Sequence, residues 1–324
     1  MIYRRNVLPS LVAALFLTFA TSIAGAATLL VLNKNDATLS FFDPVTGKAS
    51  TTIPTGEGPH EIELSSDGKL AFIGNYGSQT PGNTLSVVDT QTRKELRRVD
   101  LGELKRPHGL AFLDGKLYFT SEATRKVARF DPMSNSVDWQ FETGQNATHM
   151  VLATRDGSKL FAANIGSNTV SVLEREGSQW KQTLVPVGAG PEGMDLSPNG
   201  KELWVAHSRD GGISVIDIAS KRVAHTIDAK TQRSNRLKFT PDGKMILVSD
   251  LTAGELVAFD TSSRLPIARL KLGRVPTGIL MAPDGNAYVA CSGDNHIAVI
   301  DLKTLKMTKT IATGGSPDGM AWLK

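Results

Sequence analysis

The stretch GEGPHEIELSSDGKLAFIGNYG, residues 56–77, decides the fold. It begins near a Pro-His pair, runs through Ile62 and Leu64 to Asp67-Gly68, and leaves through a second apolar run that reaches Asn75. Asp-Gly between two such runs predicts a hairpin, because glycine tolerates the positive φ that tight turns need. RPHGLAFLDGKLYFTSE, residues 106–122, says nearly the same thing again. Further copies of the turn stand at Asp156-Gly157, Asn199-Gly200, Asp242-Gly243 and Asp284-Gly285.

A second signature is a short β-rich run ending in an acidic residue. It appears as LSFFD at Asp43, LSVVD at Asp89, VARFD at Asp131, VSVLE at Glu174, ISVID at Asp217, LVAFD at Asp260 and IAVID at Asp301, seven copies spaced 41–46 residues apart. Each unit reads as four short strands: one before the Asp-Gly turn, one after it (LWVAH), a third (ISVID) and a fourth (KRVAHTI). Four strands at this period, with no helical pattern, predict an all-β, seven-bladed β-propeller of four-stranded blades. The C-terminal GGSPDGMAWLK matches a first strand, and its missing partners stand at the other end as ATLLVLN, LSFFD and ASTTIP. The two ends therefore pair in one blade and close the ring, which removes a free sheet edge.

The chain has 324 residues, 40% apolar and 21% charged, enough for a sizeable core. Arg4 and Arg5, the apolar run LVAALFLTFA and the small-residue AGA predict a secretory signal peptide over residues 1–26, with a propeller domain over 27–324. Removing it lowers the formal charge from +4 to +2. Nothing later resembles a membrane span, and the expected location is the periplasm. The single cysteine, Cys291, excludes an internal disulfide and reads as a structural thiol.

The units SPNGKELWVAHSRDGGISVIDIASKRVAHTI and APDGNAYVACSGDNHIAVIDLKTLKMTKTI resemble the YVTN-type repeat, and residues 27–324 resemble exported YncE-like propellers. That resemblance implies a binding role or one accessory to periplasmic oxidation or transport, since some exported relatives accompany quinoprotein alcohol oxidation and one is thought to bind DNA. NYG (75–77) followed by LSVVD is similar to a stretch of the propeller lactonases.

Candidate site residues follow from the repeat. With the Asp of each turn as zero, position −7 opposes position +8 at the far end of the hairpin. The −7 row reads His60, His108 (one residue closer to its turn), His149, Glu192, Asn235, Thr277 and Asp318. The +8 row reads Asn75, Glu122, Asn164, His207, Asp250 and Ser292, with Asn33 from the split blade. First strands line the channel of a propeller, so both rows are expected around its mouth, with Glu61 beside His60. The ligand-binding set is then His60, Glu61, Asn75, His108, Glu122, His149, Asn164, Glu192, His207, Arg236, Asp250 and Asp318.

His60, His108 and His149 with Glu192 have the residue types of a transition-metal site for Zn, Cu or Fe. A metal-bound water could attack an ester or lactone, with Glu122 or Glu192 as general base. The competing expectation is structural: the −7 row shares strand parity with Ile62, Leu64, Leu110, Phe112, Met194 and Leu196, which pack between blades. Loop charges at Lys105, Arg106, Arg125, Lys126, Arg209, Arg233, Arg236 and Arg274 allow an anionic partner, although a mature charge of +2 is a weak footprint for nucleic acid. No Gly-x-Ser-x-Gly, His-Glu-x-x-His, Cys-x-x-Cys or phosphate loop occurs. The reading is a monomeric periplasmic binding propeller for a small molecule, metal or protein partner. Its alternatives are a metal-assisted hydrolase or lyase of the lactonase type and a nucleic-acid-binding propeller.

Overall fold

The computed structural model describes Met1, Ile2 and residues 27–324, so the expected leader otherwise lies outside the described residues. Seven antiparallel sheets of four strands form the ring. Blades 1 to 6 cover residues 59–100, 107–142, 148–186, 191–227, 234–271 and 276–312. Blade 7 joins Pro317–Leu323 to Thr28–Asn33, Thr38–Phe42 and Ala49–Pro54. Within it Leu30 pairs with Ala321 and Thr28 with Leu323, the predicted closure.

Both repeat signatures have a local physical role. In the turns Gly68, Gly157, Gly200, Gly243 and Gly285 all have positive φ. The acidic residue ending each third strand accepts from backbone N–H groups two or three residues on, as Asp89 does from Thr92 (2.7 Å) and Asp217 from Ser220 (2.7 Å). Glu174 is the exception. Its carboxylate is held by Lys159 at 2.6 Å and by Lys221.

Seven apolar clusters sit between consecutive blades. One joins Trp204 and Val215 of blade 4 to Leu237, Phe239 and Ile246 of blade 5, and another joins Leu30 and Phe41 of blade 7 to Ile62 and Ile73 of blade 1. Second and third strands are buried on both faces, while fourth strands alternate, as in Lys94–Asp100. Each fully buried Leu, Val or Phe contributes about 1.5–3 kcal/mol, so packing between blades holds the ring without disulfides. Cys291 is buried in one such cluster, and burial pushes its thiol up to about 12.

Candidate functional site

Every first strand carries a β-bulge at the end away from its turn. In blade 1 Pro59 pairs with Asn75 and Ile62 with Ile73, so His60 and Glu61 together face Gly74. The same break occurs at His108-Gly109, His149, Glu192-Gly193, Asn235-Arg236, Thr277-Gly278 and Asp318-Gly319. A bulge inserts a residue and re-aims side chains. The −7 residues therefore leave the parity of Ile62 and gather at the channel neck. The direct −7/+8 opposition expected from the sequence is corrected by this insertion. Where glycine follows, the next blade approaches closely: a Cβ on Gly109 would lie 2.5 Å from Val151 N, and one on Gly193 2.5 Å from Asn235 O.

The +8 row points elsewhere. Asn75 donates to Thr84 and Ser86 (both 3.0 Å) and accepts from Gly56 N–H (3.1 Å), tying its blade to the incoming loop. Asn33 and Asn164 repeat the two donations, but Asn164 Oδ1 accepts from the Thr148 hydroxyl (3.0 Å) and Asn33 Oδ1 has no partner among the described residues. Asp250 accepts from Gln232 and Arg233 N–H groups, and His207 Nδ1 meets Asp210 at 3.0 Å. Asn75, Asn164, His207 and Asp250 are thus buckles inside their blades rather than mouth residues. Glu122 differs because blade 2 has a two-residue turn, with Leu113 paired to Lys116 and positive φ at both Asp114 and Gly115. Its buckle position is Ser121, and Glu122 falls in the next turn, where it reaches the mouth.

At the mouth a polar chain crosses three blades. Tyr76 Oη donates to Glu122 Oε1 at 3.0 Å, and His149 Nδ1 donates to Glu122 Oε2 at 2.7 Å. The Arg106 guanidinium lies 4.6 Å from the Tyr76 ring centroid. Burial raises the Glu122 carboxyl, but the hydrogen bonds from His149 and Tyr76 outweigh it and hold it below its usual value. Burial and the Glu122 charge push Tyr76 up to about 12. The rings of His60, His108 and His149 lie in a row, with centroids 5.2 and 3.6 Å apart and planes tilted by 55° and 33°. Burial pushes His60 down to about 4 and His108 well below its usual value, so both are neutral near pH 7. His149 Nε2 and His108 Nδ1 are buried without a hydrogen-bond partner among the described residues.

The other side of the neck is ionic. Arg236 reaches from blade 5 across the channel to Glu61 of blade 1 (2.7 Å) and lies 3.5 Å from Glu192 of blade 4. Asn235 also donates to Glu192. Asp318 pairs with Lys34 at 2.9 Å; burial opposes its charge, but Lys34, His60 and Arg236 hold it well below the carboxylate range. Arg236 is accordingly a buried strand residue, not a loop charge. Tyr76 and Lys34 are neck residues that the sequence reading missed; each directly follows a buckle asparagine.

Above the neck a cavity of about 500 Å³ opens between blades, lined by Tyr76, Glu122, His149, Glu192, Arg209 and Arg233 among others. Arg209 and Arg233 are exposed and enter no salt bridge among the described residues. The proposed metal set does not converge. His60, His108 and His149 lie as tilted rings against one another, His60 Nδ1 is engaged by Gly58 O at 2.9 Å, and no group of three or more His, Cys, Asp or Glu among the described residues is placed to hold an ion.

The family model described as the cytochrome D1 heme domain matches residues 143–286, from the approach to blade 3 into blade 6. The uncharacterized protein YncE of Salmonella typhimurium is 24% identical over 168 residues, covering 50% of this chain and 47% of that one. Sequence and fold together fit a YncE-like propeller. It spans less than half the length of the curated relatives it matches. Among solved structures, the periplasmic gluconolactonase PpgL of Pseudomonas aeruginosa superposes with a TM-score of 0.76 at 19% identity, covering 92% of this chain and 99% of that one. A chain of Kuenenia stuttgartiensis hydrazine synthase gives 0.71 at 21% identity, covering 81% and 88%. Likeness at this identity shows the fold alone. At the mouth His108 covers one face of His149, and His149 Nε2 is buried 4.0 Å from Glu192 Oε1, so His149 offers no exposed nitrogen to a haem iron. No helix of the described residues is long and apolar enough to cross a membrane.

Proposed function

We propose that this is a periplasmic binding propeller, accessory to another periplasmic protein, that captures a small polar ligand at the mouth over blades 1 to 4. The observation that carries the reading is the Tyr76–Glu122–His149 chain. Three blades each contribute one member, and the fold does not need it. The positions matching Tyr76 and Glu122 hold Ile165, Ser208, Leu251 and Ser292 in blades 3 to 6. Buried polar networks are costly unless satisfied, so one built from three blades at the wall of an open cavity, with Glu192, Arg209 and Arg233 beside it, suits a ligand. That ligand brings an anionic group to Arg209 and Arg233 and a donor to the Glu192 and His149 side. The leader-like sequence and the likeness to a periplasmic propeller support the location.

The test is calorimetric titration with a panel of small hydroxycarboxylates and their lactones. Saturable binding that weakens at least tenfold in Arg209→Ala and in His149→Ala supports the reading. Binding that is equal in wild type and variants, or absent across the panel, contradicts it. A second reading, hydrolysis, is favoured by the 2.7 Å Glu122–His149 contact, a carboxylate–imidazole pair suited to general-base catalysis. Lactone turnover that disappears in Glu122→Gln while binding persists would select it. Metal content of protein purified from the periplasm, beside His60→Ala, His108→Ala and His149→Ala, tests the metal-assisted version.

A further inference from the structure

Below the neck lies a second cavity. Its volume is about 420 Å³, within the range of small-ligand sites (about 300–1,000 Å³). The Glu61–Arg236 ion pair borders it on the neck side, away from the mouth. Its other end reaches Leu113, Thr154 and Arg155, beside the Asp-Gly turns. Leu110, Phe112, Met150, Leu152, Leu280 and Met320 make most of the wall apolar. Two charged side chains stand in that wall one layer below the neck, Glu63 of blade 1 and Lys238 of blade 5.

The charges around this cavity do not balance within the protein. Arg236 is paired with Glu61 and Glu192, and Lys238 with Asp195 at 3.4 Å. Asp195 also accepts from Phe239 N–H at 2.8 Å. Glu63 is left over. It accepts from the Phe112 backbone N–H but enters no salt bridge among the described residues. Arg155 at the outlet is exposed and solvated. A carboxyl facing a roomy, mostly apolar cavity gains most from a cation that carries its own apolar body, because such an ion loses less hydration on entering than a bare metal ion does.

We propose that this cavity is a ligand site separate from the mouth, and that it takes a compact organic ammonium ion with Glu63 as counter-charge and Phe112, Met150 and Leu280 around the hydrocarbon. The ionisation state of Glu63 supports this. Burial pushes its carboxyl up to about 7, against the pull of Lys238 and of the Phe112 N–H. A bound ammonium stabilises the carboxylate, so binding releases a proton from the fraction of molecules in which Glu63 is protonated. The other charged groups facing it (Glu61, Arg236, Asp195 and Lys238) are paired with one another.

The experiment is calorimetric titration of the mature protein with n-butylammonium chloride, against sodium chloride at matched ionic strength. Saturable one-site binding is expected at pH 8, about tenfold weaker at pH 6, where Glu63 is mostly protonated. Glu63→Gln, nearly isosteric and free of buried charge, should abolish it while the protein stays folded by circular dichroism. Leu280→Phe, which fills the cavity and leaves the carboxyl, should also abolish it. His149→Ala at the mouth should leave it unchanged. The proposal is overturned by no saturable heat at pH 8, by binding that survives Glu63→Gln or Leu280→Phe, by equal affinity at the two pH values, or by an equal response to sodium.

Discussion

Two rings of polar residues sit at the same end of the blades, one strand apart. The outer ring (Asn33, Asn75, Asn164, His207 and Asp250) makes its hydrogen bonds within its own blade and to the loop leading into it. The inner ring (His60, His108, His149, Glu192, Asn235, Thr277 and Asp318) faces the neck through seven bulges and reaches to other blades, as His149 does to Glu122 and Asn235 to Glu192. Both rings hold buried atoms without partners among the described residues, on His108, His149, Asn235 and Asp318 in the inner and on Asn33 and His207 in the outer. Residue type does not separate the rings, since each holds histidine, asparagine and a carboxylate. Backbone register does. One ring is what the propeller needs to tie each blade, and the other is what it can spare for a ligand.

The sharpest way to stress this division is at the one inner-ring neighbour that does hold the fold. Arg236→Ala leaves Glu61 and Glu192 buried without their cation and should cost about 3–5 kcal/mol. Glu61→Leu combined with Arg236→Met should recover most of that loss, as equilibrium denaturation in urea would report. Next comes the outer ring: Asn75→Ala strands Gly56 N–H and two hydroxyls, and should cost about 2–3 kcal/mol without changing mouth binding.

Smaller effects come from pH, and the channel layers should differ in sign. His60 titrates at about 4 in the folded chain against 6.5 unfolded, so the unfolded chain binds more protons between those values. The stability this residue contributes is present above pH 6.5 and is lost as pH falls towards 4, and His60→Gln should flatten that limb. Glu63 runs the other way. Its carboxyl rises from 4.5 to about 7 on folding, so the folded chain holds the extra proton and stability declines as pH climbs through that window. Glu63→Gln should therefore raise the melting temperature at pH 8 by a few degrees and leave it nearly unchanged at pH 4. A fall at pH 8 would mean that the carboxylate has a partner.

Most of the propeller was legible in the sequence because its signals are local. Asp-Gly turns and third strands ending in Asp each act within a few residues, as the positive φ of Gly68 and the Asp89 turn show. The inner histidines were also legible, as a row. The bulges were not, because an inserted residue alters register without altering composition, and so Asn75, Asn164, His207 and Asp250 looked like mouth residues. Glu122 entered the right list by a compensating slip, its blade having a shorter turn. The Glu61–Arg236 bridge joins residues on different blades 175 positions apart, which no repeat alignment reveals. Tyr76 was hidden by its place one residue beyond a conspicuous asparagine.

The most direct test of the account is a urea denaturation series at pH 7.5 on both rings: Asn33→Ala, Asn75→Ala and Asn164→Ala beside His60→Gln, His108→Gln and His149→Gln. The account predicts losses of about 2–3 kcal/mol for the asparagines and within about 1 kcal/mol for the histidines. Histidine variants that lose as much as the asparagine variants would make the neck imidazoles part of the scaffold and remove the ground for a site there.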